Sequence, residues 1–376
     1  MTASVRSLTP PPTTANGPWT WLRTNLFSSI GNTILTVIAV WIVYQVAHGV
    51  IGWAFVNATF EGEDGGACTR ENAGACWPFV SAWFGQFMYG RYPDAERWRV
   101  NLTYALALAG LVPLMVPRIP GKLWSSLYVL GVFPILATIL LAGGVFGLPD
   151  VPTDFWGGLL VTLVISSVGI AAAFPIGILL ALGRRSEMPI VRWASVGFIE
   201  FVRGVPLITV LFMSSVMLPL FLPNGWTIDK LVRALIMVAL FSAAYLAEVI
   251  RGGLQAIPRG QFEAADALGL SYPHMMGPIS LPQALKLVIP GIVNTLIGLF
   301  KDTSLVLIIG IFDLLGMVQA ALSAQRWLSP ATPMTGYVFA GFVFWIFCFG
   351  MSRYSLMLER RLATGGQRTI AKAAYD

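Results

Sequence analysis

Lys301-Asp302-Thr303-Ser304 sets a cation, an anion and two hydroxyls side by side inside the apolar stretch from Leu281 to Ile311. Ionisable groups are costly in hydrocarbon, so they face a cavity, a partner or one another. A zwitterionic ligand needs one positive and one negative group with hydroxyls to spare, and this cluster supplies them. It is read as part of a substrate pathway. The structural alternatives are a helix break with a self-satisfied Lys–Asp pair, or burial against a second membrane subunit. Neighbouring residues on a regular helix point about 100° apart, which makes mutual satisfaction of Lys301 and Asp302 difficult.

Glu200-Phe201-Val202-Arg203-Gly204-Val205-Pro206 is a second polar group of residues. Glu200 and Arg203 are three apart, so on a helix they are neighbours able to neutralise each other. Gly204 and Pro206 permit close packing or a kink. The segment reads either as a gate or packing node, or as an interfacial ion pair.

The third group runs from Gln255 to His274 and carries Arg259, Gln261, Glu263, Asp266 and His274. These residues lie in water or against another protein, because each would cost several kcal/mol in hydrocarbon. Ala264, Ala265 and Ala267 favour helix, Gly269 is a natural stop, and Pro273 follows. The pattern predicts a short helix at about 255–275 between two spans, with Glu263 and Asp266 able to pair with basic side chains. It is read as a plug for a partner groove, the bland alternative being an ordinary loop helix.

No G-x-x-x-x-G-K-[ST] run, nucleophile elbow, zinc signature or flavin signature occurs. Catalytic residues are therefore not expected. Two His and three Cys without ligand spacing suggest no metal site.

The elements that position these groups follow from composition. Charged residues are 11% and hydrophobic residues 56% of the 376 residues, and mean hydropathy is +0.73. A soluble chain would carry about 25% charged residues, so the fold class is an all-α polytopic membrane protein. The net charge of +6 does not indicate nucleic acid, because the basic residues sit in short loops beside apolar runs, where they set topology. About eight spans emerge at roughly 17–25 residues each. They lie near Ile30–Trp53, Leu102–Val116, Trp124–Phe146, Phe155–Gly183, Ala194–Leu222, Leu231–Ile250, Leu281–Ile311 and Gly336–Leu358.

With an even count, Arg118, Lys122, Arg184, Arg185, Arg251, Arg259, Arg360 and Arg361 share one side, which is the cytoplasm. Both termini and the Glu263 helix then lie inside. The opposite side receives 57–99, 149–154, 224–229 and 313–333. Residues 1–25, rich in Pro, Thr and Ser, read as a disordered cytoplasmic tail. Residues 26–150 form a three-helix extension with an outer loop at 57–99, and 151–376 form the core. Cys68 and Cys76 sit in that outer loop, where an oxidising compartment makes a disulfide plausible; two unpaired thiols are the alternative. Cys348 reads as a buried apolar filler.

Glu263-Ala264-Ala265, then Gly269, Ile279, Leu281 and Pro282, matches at every signature position the pattern E-A-A, three residues, G, nine residues, I-x-L-P. It resembles the coupling motif of importer-type ABC transporter permeases. Glu200-x-x-Arg203-Gly204-x-Pro206-Leu207 and Lys301-x-Thr303-Ser304-Leu305 resemble stretches of the polar amino-acid uptake branch. Architecture and length resemble the M-type permease of general L-amino-acid (Aap/Bzt-like) importers.

The resemblance implies a core of about five helices from Phe155 onward and a coupling helix that inserts into a cytoplasmic ATPase dimer. ATP and Mg would be held by that ATPase, with no cofactor on this chain. A second, different permease subunit and a periplasmic amino-acid-binding protein would complete a complex in the bacterial inner membrane. The docking residues would be Arg259, Glu263, Ala264, Ala265, Asp266, Gly269, Ile279, Leu281 and Pro282. An ion-coupled secondary amino-acid transporter would need an inverted repeat, and none is visible. A non-transporting anchor for an ATPase would have little reason to hold Lys301 and Asp302 in lipid.

Overall fold

The computed structural model describes residues 17–116, 118–223 and 225–373, with side chains described through residue 362. Regular structure among these residues is helical. In chain order it comprises α1 (Pro18–Asn25), α2 (Ile30–Ile51), α3 (Trp77–Tyr89), α4 (Arg97–Met115), α5 (Lys122–Leu127), α6 (Phe133–Ala142), α7 (Gly158–Arg184), α8 (Pro189–Gly204), α9 (Leu207–Phe212), α10 (Leu218–Phe221), α11 (Lys230–Gln255), α12 (Arg259–Ala267), α13 (Tyr272–Met275), α14 (Leu281–Leu287), α15 (Ile289–Asp302), α16 (Leu314–Leu322) and α17 (Thr332–Ala373). Among the described residues, seven stretches are long and apolar enough to cross a bilayer, and a bent pair, Pro189–Gly204 with Leu207–Phe221, makes a further crossing possible.

The core is organised by the pairing of α7 with α11. Gly169, Ala173, Gly177 and Ala181 recur at every fourth position of α7 and so share one helix face. A Cβ at Gly177 would lie 2.9 Å from Leu246 Cβ and 3.2 Å from the Ala243 carbonyl oxygen. In hydrocarbon, such close van der Waals packing between small residues is what drives helix association. Ala173, Ala181, Ala243 and Ala247 are fully buried along this seam.

Gly169 faces Val238 while Gly177 faces Leu246, so residue numbers rise together and the two helices run parallel. The chain between them must cross back once. The bent pair therefore counts as one crossing, which makes eight among the described residues. Gly253 meets Ala284, and Gly291 meets Val249, so α14 and α15 return antiparallel to α11. Phe300 of α15 packs on Phe344 and Phe347 of α17, with ring centroids 5.4 and 5.3 Å apart.

Several expected spans need correction. Ala194–Leu222 is not one straight helix, since α8 meets the following segment at 103°. Val205 precedes a proline, which disfavours helical backbone; it is extended at φ −111°, ψ 135°, and Pro206 then opens α9. Leu281–Ile311 is interrupted at Val288, which leaves helical geometry just before Pro290, and only Ile289–Ile309 is a spanning length. The second span begins earlier than Leu102, as part of Asp94–Met115, and the third is Lys122–Ala142. Within the expected N-terminal tail, Pro18–Asn25 is helical, and residues 1–16 lie outside the described residues.

The region expected as an outer loop at 57–99 is a folded cap. Cys68 and Cys76 are joined by a disulfide with Cα atoms 5.7 Å apart, and the Cys76 amide donates to the Thr335 hydroxyl at 2.8 Å. Helix α3 buries Phe79 and Phe87 against Met317, Val318, Trp327 and Ala340 of the core. The cap reaches the core through glycines: a Cβ at Gly90, whose φ is +67°, would lie 2.4 Å from the Gly157 backbone.

Arg99, assigned by sequence to the polar stretch, is fully buried. Its guanidinium donates to the carbonyls of Leu140, Leu141 and Pro149 at 2.5, 3.3 and 2.9 Å. A cation at the C-terminal carbonyls of α6 is also favoured by the helix dipole. Arg99→Met should strand these buried acceptors at a cost on the order of 3 kcal/mol. The measurement is Tm in detergent, which should fall by several degrees, whereas Arg97→Met at the half-exposed neighbouring site should move it less.

Candidate functional site

Three places carry the polar residues singled out above. The first is a knot of charges where α7, α8 and α11 meet. Glu248 of α11 is its hub, with Arg184 at 2.9 Å, Arg251 at 2.9 Å and Arg203 at 3.6 Å. Glu200 also reaches Arg184, at 2.8 Å. Glu200 and Arg203 do not neutralise each other as their spacing suggested. Packing α8 across the ends of α7 and α11 offers each a partner on another helix, and the cross-helix pairs win. Arg203 further stacks over Tyr245, 5.7 Å from the ring centre. Gly204 ends α8 and Pro206 opens α9, so the kink expected of this segment is present.

Sequence reasoning passed over Glu248, Arg184 and Arg251 as members of this group. A signal existed, because Glu248 is the one acidic residue of the expected Leu231–Ile250 span, and an ionisable group at that position asks for a partner.

The second place is α12, directly beyond α11. Its fold follows its sequence: Pro258 precedes the first turn, the alanines fill the middle, and Gly269 ends it. Gly269 adopts φ +68°, and the amides of Gly269 and Leu270 return to the carbonyls of Asp266 and Ala265 at 2.9 and 3.1 Å. That left-handed turn is open to glycine at no steric cost. Ala265 is buried, Phe262 packs half-buried against the ends of α7, α8 and α11, and the Arg185 guanidinium lies 5.5 Å over the Phe262 ring. Arg259, Glu263, Ala264, Asp266, Ala267 and Gly269 remain exposed, as does Leu268 at 78%. Ile279 lies in the turn Met276–Ser280, and Leu281 with Pro282 opens α14, which seats against the same cluster.

The third place is Lys301–Ser304. Here α15 ends at Asp302 and tightens into a 3-10 segment, Thr303–Ile309. Lys301 is exposed, Asp302 half-buried and Thr303 buried. Neither charge has a salt-bridge partner within 4 Å among the described residues. The Thr303 and Ser304 hydroxyls donate to the carbonyls of Phe300 and Lys301, at 2.8 and 2.9 Å. They satisfy the end of α15 rather than pointing into open space. The three places are not one pocket: the knot and α12 share an end of the bundle, while Lys301 lies partway along a spanning segment.

A shared hub predicts strong coupling. Arg203→Met and Glu248→Gln, separately and together, should give a double-mutant cycle in thermal unfolding with a coupling of about 0.5–3 kcal/mol. Glu200→Gln removes a half-exposed carboxylate and should cost about 0–1 kcal/mol. Additive effects of the first pair would show that Glu248 does not hold α8.

Comparison with known proteins shows the family. Residues 173–364 match the family model described as "Binding-protein-dependent transport system inner membrane component". The chain is 55% identical over 350 residues to the inner membrane amino-acid ABC transporter permease protein YhdY of Escherichia coli (strain K12), covering 92% of this chain and 93% of that protein. It is 41% identical over 421 residues to the glutamate/glutamine/aspartate/asparagine transport system permease protein BztC of Rhodobacter capsulatus, covering 94% and 95%. A solved structure described as an amino acid ABC transporter with histidines covers 54% of this chain and 92% of its own, with 28% identity and a TM-score of 0.48. The chain belongs to the family of binding-protein-dependent transport system inner membrane components, as a multi-pass permease subunit of an ABC importer.

Proposed function

We propose that the chain carries L-amino acids inward as one half of a permease pair, driven by ATP hydrolysed on a separate cytoplasmic ATPase dimer that binds α12. The observation that carries this reading is the seating of α12. Phe262 fixes it to the same helix ends that the Glu248 knot ties together, while Glu263, Ala264, Asp266 and Leu268 face outward. Such a helix offers a partner groove close backbone approach, two carboxylates and an apolar tip. Movement of α12 is then transmitted to α7, α8 and α11 through the knot.

The orientation follows from Arg184, Arg185, Arg251 and Arg259 at the α12 end, which is cytoplasmic by the positive-inside rule. An even number of crossings supports a cytoplasmic start of the chain as well. Amino acids are the cargo because both full-length relatives are named for amino-acid transport. Lys301, exposed on a spanning segment, needs water, ligand or protein beside it. A second permease covering this face would supply all three and set the pathway between the two subunits, with a periplasmic amino-acid-binding protein delivering the cargo.

Two outcomes test the reading. Glu263→Lys and Gly269→Leu should each abolish co-purification of the ATPase with this chain, while leaving the permease pair intact. Retention of the ATPase by both variants would remove α12 as its dock. Lys301→Met should keep the ATPase bound but slow amino-acid uptake in proteoliposomes by tenfold or more, about 1.4 kcal/mol in the barrier. Lys301→Arg should retain part of the activity, since the charge persists while the geometry changes. Wild-type uptake by the Met variant would make Lys301 a structural residue.

A further inference from the structure

At the end of the bundle opposite α12, a cavity of about 290 Å³ opens between the cap and the core. Its charged lining residues are Arg91, Asp154 and Lys230, and the buried rings and chains of Trp156, Val161 and Leu231 form its apolar side. Ligand sites combine apolar walls with a few convergent polar groups and start near 300 Å³, so this one fits a small molecule.

The three charges are held apart and left unspent. Lys230 forms no ion pair or hydrogen bond among the described residues, and neither does the Asp154 carboxylate. Arg91 lays its guanidinium over the Phe312 ring, 5.6 Å from the centre, and meets no carboxylate among the described residues. Asp229, the neighbouring acid, is already engaged. It caps α11 at the Val232 amide (3.0 Å) and accepts the Thr153 hydroxyl. That contact fixes the turn Thr153–Phe155 against the start of α11, so that Asp154 and Lys230 line the same cavity. On the other side, the Arg91 amide donates to the Phe155 carbonyl at 3.0 Å.

We propose that this cavity is an entry subsite for an α-amino acid, whose carboxylate pairs with Lys230 and Arg91 and whose ammonium pairs with Asp154. The inference rests on the amino-acid import reading above and adds a site to it. Two cations and one carboxylate in the lining favour a ligand with an acidic side chain over one with a basic side chain. Arg91 and Asp154 lie outside the region 173–364 that matches the family model, so the cap and the segment before α7 build half of the subsite. Gly310, in the lining, ends the 3-10 segment that begins at Thr303, next to Lys301 and Asp302. Seven residues at about 2 Å each put the two polar places roughly 14 Å apart along one 3-10 segment.

The test is lysine-reactive footprinting of the assembled complex in nanodiscs, without binding protein or nucleotide, read by mass spectrometry. L-glutamate should slow modification of Lys230 roughly threefold, the occupancy reached at twice the Kd by mass action, without slowing that of Lys122. Asp154→Asn, at an exposed position, should remove the protection while the complex stays assembled. Unchanged Lys230 reactivity in a preparation that takes up L-glutamate once reconstituted in proteoliposomes with binding protein and ATP would overturn the subsite and leave the import reading standing. A preparation that imports no amino acid and shows no protection would overturn both. Equal protection by L-lysine or by inorganic phosphate would mark a nonspecific ion patch and overturn the assignment.

Discussion

The close approach of α7 to α11 is the constraint on which the rest of the molecule depends. With lipid outside as apolar as the side chains inside, helices gain little from hiding Leu or Ile from solvent, and they adhere where small residues let backbones nearly touch. Gly169, Ala173, Gly177 and Ala181 provide that face on α7. Because the seam is parallel, it forces the intervening chain back across the membrane. It also brings the C-terminal ends of α7 and α11 together, so that Arg184 meets Glu248. A bulky residue at 177 would separate these ends as well as weaken one contact.

The charge knot is the electrostatic counterpart of that seam. Three guanidiniums share two carboxylates, Glu200 and Glu248, leaving one net positive charge at the end where positive charge belongs. Arg184 and Arg203 lie in the last turns of their helices, where a cation is also favoured by the helix dipole. Glu248 has 15% side-chain exposure, so its pairs are screened less than surface pairs and define where α8 sits. Since α12 leans on the same helix ends through Phe262, motion at α12 reaches α8 through contacts already made.

The opposite end is built differently. The cap is closed on itself by a disulfide and joined to the core by an aromatic cluster and glycine-to-glycine backbone contact, all of which resist displacement. Burial and backbone contacts fix the walls there, and burial pushes the carboxyl of Asp313, at the start of α16, up to about 6 even though the Gly316 and Leu315 amides partly oppose the shift. Asp154, Lys230 and Arg91 stand apart from this rigid frame, with their charges turned to the cavity rather than to each other.

Much of this was legible in the residues. Apolar run lengths determined the all-helical membrane class and nearly every crossing, because hydrocarbon leaves the backbone no alternative to internal hydrogen bonds. The α12 motif was legible as well, since alanines, a terminal glycine and surrounding carboxylates specify a short polar helix by local rules alone. What the sequence left undecided were choices among partners. Glu200 could pair three residues along its own helix, yet the packing of α8 across α7 and α11 turned it to Arg184 and gave Glu248 to Arg203. Likewise a polar stretch at 57–99 carries no local sign that Arg99 will be buried or that Phe79 and Phe87 will enter the core. Local propensity acts over a few residues and belongs to the sequence. Which distant charge or ring lies within reach is settled only when the helices pack.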